Sequence, residues 1–157
     1  MALTRHYREK LKDGTLKPDP AQAAVLEKLS ALSGALNMSP PQKPTLLGTL
    51  FRKARLPAPR GLYIHGEVGR GKTMLMDLFY DSVNGWPKRR IHFHAFMQDV
   101  HAQRQRLGGE DVINRIADEL SLSAKLLCLD EMQIVDIADA MIIGRLYEAL
   151  TARGVVL

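Results

Sequence analysis

One cysteine, one tryptophan and 6% aromatic residues are all that 157 positions hold of these types, and no apolar run approaches the length of a membrane span. A disulfide framework or a cysteine zinc cluster is excluded by the single thiol. Cys128 lies inside LLCLDE, where it reads as a small buried hydrophobe, and a reducing compartment fits. The opening MALTRHYREKLKDG has no apolar stretch of the secretory type, and its Glu9 and Asp13 argue against a mitochondrial presequence. Repeats and low-complexity tracts are absent as well. The 46% apolar content is that of a globular protein, and the length suits one compact domain. Acidic charge is scarce at the start: residues 1–60 hold eleven Lys or Arg against four Asp or Glu, whereas residues 61–157 hold eleven against thirteen. The basic surface is therefore expected in the N-terminal segment. A solvated face, an acidic protein, an anionic membrane and nucleic acid all suit it, and charge alone does not choose among them.

Glycine is concentrated where chemistry needs it. The segment GLYIHGEVGRGKTMLMDLFYD meets G-x-x-x-x-G-K-[ST] with Gly66, Gly71, Lys72 and Thr73. Such a loop, here Gly66, Glu67, Val68, Gly69, Arg70, Gly71, Lys72, Thr73 and Met74, turns backbone amides toward the β- and γ-phosphates of a nucleoside triphosphate. Side chains at the glycines would block that approach. Lys72 supplies a point charge, the Thr73 hydroxyl is a ligand for Mg²⁺, and the following helix adds its N-terminal dipole. Leu62, Tyr63 and Ile64 read as a short buried strand before the loop. Met74, Leu75, Leu78 and Phe79 recur at helical spacing after it.

Leu3, Tyr7 and Leu11 predict a first helix ending near Gly14. Asp19 and Pro20 are the cap and first residue of a second, with Val25, Leu26, Leu29 and Leu32 on one face. Asn37 to Pro44 reads as a loop, and a short helix is expected around Leu46 to Ala54. Gly85-Trp86-Pro87 marks a turn, RRIHFH (89–94) alternates as a strand with Ile91 and Phe93 on one face, and a helix from about Ala95 ends at Gly108-Gly109. Val112, Ile113, Ile116, Ala117 and Leu120 outline a helix, Lys125 to Asp130 a strand, and Ala138 to Ala152 a helix stopped by Gly154. Val155 to Leu157 open a further strand. This alternation indicates a parallel α/β sheet covered on both faces, with a helical basic segment at 1–58 and a P-loop core at 59–157.

The strand ending in Asp130 and Glu131 is the second nucleotide signal, because ligands sit at the C-terminal ends of strands in open α/β sheets. It comes 58 residues after Lys72. Asp130 is expected to hold Mg²⁺ from its outer shell, and Glu131 to polarise the attacking water as general base, so Glu131 and Lys72 are the catalytic candidates. No N-K-x-D guanine-reading motif is present, which favours ATP over GTP. His65, His92, His94 and His101 lack the clustered cysteines or carboxylates of a zinc site, and ordinary structural roles suffice for them. Asp136 or Asp139 is expected to cap the helix that starts near Ala138, with contact to nucleotide or a neighbouring subunit as the other reading. Gln22 reads either as a contact to the adenine edge or as a plain exposed helical residue.

Three blocks, GLYIHGEVGRGKTMLMDLFYD, KRRIHFHAFMQDVHAQRQRL and LLCLDEMQIVDIADAMIIGRLYEALTARGVVL, resemble consecutive blocks of the bacterial ZapE family, related to the mitochondrial "ATPase family gene one" proteins. GTLKPDPAQ is similar too. HFHAFM together with DIADAM is more specific than either nucleotide motif. The resemblance implies an AAA+ type P-loop ATPase fold, ATP with Mg²⁺, no zinc, and mechanical remodelling. It links the family to cell division and the FtsZ ring in bacteria and to inner-membrane quality control in mitochondria. A cytoplasmic bacterial protein with a protein partner and a homo-oligomeric full-length form is the expectation. Leu129 and Met132 stand where the family often has aromatics. The family's sensor segment, arginine finger and lid are not found in these residues, so a C-terminally truncated chain is expected. An ATP-binding module without turnover and a DNA-associated loader remain alternatives.

Overall fold

The computed structural model describes residues 2–38, 58–67 and 69–157. Asp19 begins α2 as its composition demands: the Ala21 amide donates to Asp19 Oδ1 at 2.8 Å, and Pro20 occupies the first turn, where its missing N–H costs nothing. This helix, Pro20–Met38, follows α1, Ala2–Lys12. It includes Asn37 and Met38, two positions expected in a loop. The reason is tertiary, since Asn37 Nδ2 donates to the Ser82 carbonyl at 2.9 Å and Asn37 Oδ1 accepts from the Asn84 amide at 2.8 Å, which hold the last turn. The helix expected around 46–54 lies outside the described residues.

Helix α3, Lys72–Ser82, starts directly after Gly71. Then come β1 (Lys88–His92), α4 (Phe93–Leu107), α5 (Val112–Ser123), β2 (Leu126–Asp130) and α6 (Ile137–Ala152). Strands β1 and β2 pair in parallel, from Lys88 opposite Leu126 to His92 opposite Asp130. On the other side of β2, Val156 bridges Leu126, the Leu127 amide donates to Val156 O at 2.8 Å, and the Leu62 amide donates to Leu157 O at 3.0 Å. The lateral order is therefore β1, β2, residues 155–157, then residues 61–64.

Two sequence expectations need correction here. Leu62–Ile64 is not a strand: it is held to its neighbour through Leu157, too little pairing for a ladder, and Tyr63 is 70% exposed. The strand expected over 89–94 ends at His92, and Phe93 opens α4. Phe93, Phe96, Met97 and Val100 are all buried at helical spacing, so burying that stripe outweighs continuing the alternation. His92 and His94 consequently do not share a strand face.

Successive residues of β2 face opposite sides of the sheet. Leu126 and Cys128 pack with α1, α2 and α3 around Leu3, Tyr7, Leu29, Leu75 and Phe79. Leu127 packs with α4, α5 and α6 around Phe96, Ile116, Leu146 and Leu150. With helices on both faces, β2 delivers Asp130 at its C-terminal end.

Candidate functional site

Chain reversal before α3 depends on backbone that only glycine adopts readily. Gly66, Gly69 and Gly71 have φ of 152°, 81° and 78°. A Cβ on Gly66 or Gly69 would meet no atom within 4 Å, so open space adjoins the loop at both positions. Lys72 Nζ donates to the carbonyls of Gly66 at 2.8 Å and Glu67 at 2.7 Å. Both acceptors are neutral, and an anionic oxygen would be a stronger one. Val68 lies outside the described residues. Met74 is partly buried against the α1–α3 core.

Thr73, on the first turn of α3, reaches the end of β2: its Oγ1 donates to Asp130 Oδ1 at 3.3 Å. The Glu131 amide donates to the same oxygen at 3.0 Å, and Arg90 Nη2 donates to Oδ2 at 2.8 Å. Asp130 is 4% exposed. Burial pushes its carboxyl up, but the Arg90 hydrogen bond and charge, the Glu131 amide and the Thr73 hydroxyl outweigh burial and hold it below the usual carboxylate range. Hydroxyl and carboxylate oxygens side by side are the donor chemistry of a hard divalent cation. With an open glycine cradle and a lysine beside them, these residues fit a magnesium nucleotide. Glu131 is exposed, and its φ of 53° makes it the one non-glycine with positive φ among the described residues. That conformation turns the chain sharply out of β2 and separates the two adjacent carboxylates.

Sequence reasoning missed Arg90. It stands on β1 opposite Cys128, diagonal to Asp130, and also pairs with Asp77 of α3. The sequence displays the basic strand RRIHFH but not its pairing with the strand that ends in Asp130. Gln22 contacts the loop: Nε2 donates to the Arg70 carbonyl at 3.0 Å. Arg70 pairs with Asp19 at 3.4 Å. A cavity of about 290 Å³ lies here, with Asp19, Gln22, Val25, His65, Arg70 and Lys72 in its wall. A more apolar one, about 350 Å³, runs under 61–64 and touches neither the glycines of the loop nor Asp130.

The remaining candidates are dispersed. Asp136 caps α6 by accepting from the Ala138 amide at 2.8 Å. Asp139 meets His101 Nε2 at 2.7 Å, tying α6 to α4. His94 bonds Gln98 on its own helix. Among the described residues, no group of three or more His, Cys, Asp or Glu side chains is gathered to hold a metal ion.

A family model described as AFG1-like ATPase matches residues 1–157. Cell division protein ZapE of Escherichia coli (strain K12) is 40% identical over 98% of this chain and 44% of its own length. An uncharacterised protein of Schizosaccharomyces pombe is 35% identical over 96% of the chain and 40% of its own length. Lactation elevated protein 1 homolog B of Danio rerio is 47% identical over 62% of the chain and 22% of its own length. The chain thus spans less than half the length of these curated relatives. No solved structure gives a significant match.

Proposed function

The chain belongs to the AFG1-like ATPase family, and from that premise we propose that it binds ATP with Mg²⁺ at residues 66–74 and hydrolyses it to ADP and phosphate. The observation that carries this reading is the meeting of Thr73 Oγ1 and Asp130 Oδ1 at 3.3 Å beside the loop that Lys72 spans. It joins two motifs 57 residues apart at one point.

In this reading the loop amides and Lys72 bind the β- and γ-phosphates. Thr73 and Asp130 hold the Mg²⁺, Thr73 directly and Asp130 from the outer shell; the ion, when bound, neutralises charge developing on the phosphate oxygens. Asp130 is kept ionised for that task by Arg90. Glu131 takes the proton of the attacking water, and its exposed position on the turn after β2 suits a group that must reach solvent-derived water. Residues 1–58 act as a helical basic segment on a core of residues 59–157.

We extend the proposal to a cytoplasmic remodelling factor in cell division, supported by the printed name of the Escherichia coli relative. No helix among the described residues is long and apolar enough to cross a membrane. The division-ring protein FtsZ is the partner to test first, with the intact protein acting as a homo-oligomer.

Two substitutions separate binding from turnover. Lys72→Ala in the intact protein is expected to abolish ATP binding in calorimetry, and unchanged affinity would remove the phosphate-loop assignment. Glu131→Gln is expected to keep MgATP affinity while losing turnover by at least ~10²-fold, the scale of a lost general base. Normal hydrolysis by that variant would mean that another residue positions the water.

A further inference from the structure

Two helices far from the loop in sequence reach it through one side chain. Tyr7 of α1 is 4% exposed, and its hydroxyl donates to Gln22 Oε1 at 3.0 Å. Gln22 Nε2 donates in turn to the Arg70 carbonyl at 3.0 Å. The direction of this chain of bonds is fixed by chemistry. A carbonyl only accepts, so the amide nitrogen must face Arg70 and the amide oxygen must face Tyr7, which leaves the phenol as donor. Burial and the charge of Asp19 raise the Tyr7 phenol above its usual value, so it keeps its proton.

The Arg70 carbonyl and the Gly71 N–H belong to one planar trans peptide unit and point in opposite directions. Holding the carbonyl against α2 therefore turns the Gly71 N–H away from α2. Close approach is required as well: a Cβ on Gly71 would come within 3.0 Å of Gln22 Nε2. Glycine at 71 thus serves both the positive φ and the seat of the glutamine.

We propose that Tyr7 and Gln22 form a positioning relay by which the N-terminal helices orient the Arg70–Gly71 peptide unit and aim the Gly71 amide at bound phosphate. The part that concerns phosphate rests on the ATP-binding reading above; the part that concerns the loop does not. Gln22 is here a positioning residue, its amide oxygen holding the Tyr7 hydroxyl and its amide nitrogen the Arg70 carbonyl. The basic segment then acts on nucleotide affinity through loop geometry, and whatever binds α1 or α2 acts on the same relay.

The test uses Gln22→Met, which removes both bonds at similar volume and without new charge, Tyr7→Phe, which removes one hydroxyl, and the double variant, all in the intact protein. Backbone ¹⁵N relaxation without nucleotide is expected to show a lower order parameter at Gly71 in Gln22→Met, with those of Leu75 to Phe79 unchanged. ATP affinity by calorimetry is expected to fall about tenfold in Gln22→Met and about threefold in Tyr7→Phe. The double variant should match Gln22→Met, since the hydroxyl acts only through the glutamine. An unchanged order parameter at Gly71 overturns the relay, as do additive losses of affinity. Should the unaltered protein bind no ATP, the nucleotide reading falls by itself, and the relaxation comparison still decides whether Gln22 holds the loop.

Discussion

Cys128 faces the α1–α3 side of β2 at 7% exposure, and burial pushes its thiol up to about 11 although Arg90 and Lys88 pull it down. Only the thiolate reacts with thiol reagents, so on the order of 0.1% of molecules are competent near pH 8 even before access is considered. We expect native protein to resist labelling and to take up one reagent molecule only in denaturant; rapid native labelling would show that the β2 face opens readily. Asp130 is the opposite case, a carboxylate held below its usual range. A lowered folded value means that the group stabilises the fold fully above about pH 4 and loses that contribution as pH falls through its folded value. Arg90→Ala leaves a carboxylate with a 6% exposed side chain without its cation. The expected loss is about 2–3 kcal/mol near pH 7, less than for a fully buried pair because the Arg90 side chain is still 31% exposed. Urea unfolding should show this loss shrinking near pH 2, and a pH-independent loss would mean that Arg90 acts by packing alone.

At the scale of elements, the outcome follows how local each determinant is. The loop, the spacing of Leu75, Leu78 and Phe79, and the Asp19 cap of α2 are decided within a few residues, and the sequence displays them. Asp136 is of the same kind: replacing it by Ala leaves the Ala138 amide without its acceptor, and we expect about 1 kcal/mol less stability in denaturant unfolding. No measurable change would transfer the capping role to water. Phe93 shows where local reading fails. RRIHFH satisfies the alternation of a strand, yet Phe93, Phe96, Met97 and Val100 satisfy a helical stripe, and only the core that receives the stripe chooses between them. Arg90 and Gln22 were illegible for a related reason. Their partners are 40 and 48 residues away, and no spacing rule in the sequence joins β1 to the end of β2 or α2 to the loop.

Across the whole molecule, the geometry of the site depends on how the segments are stacked side by side. Residues 61–64 lead straight into the loop, and their described link to the rest of the sheet is the Leu62 amide on Leu157 O. Gly61 makes that approach feasible. A Cβ there would stand 1.7 Å from Leu157 O and 2.8 Å from Leu157 C, which are backbone atoms that cannot rotate aside. Gly61→Ala must therefore push residues 61–64 away from 155–157. Overpacking of this sort costs roughly 1–3 kcal/mol, and the displaced segment carries the phosphate loop with it. We expect a lower denaturant midpoint together with weaker ATP binding. Gly144 of α6 is the control, since a Cβ there meets nothing within 4 Å and the helix gains from the exchange. Gly144→Ala should stabilise by about 0.5–1 kcal/mol with nucleotide affinity unchanged. If Gly61→Ala unfolds at the same midpoint as the parent and binds ATP equally well, the contact between Gly61 and Leu157 does not hold the loop in place, and the lateral order of the segments 155–157 and 61–64 has to be redrawn.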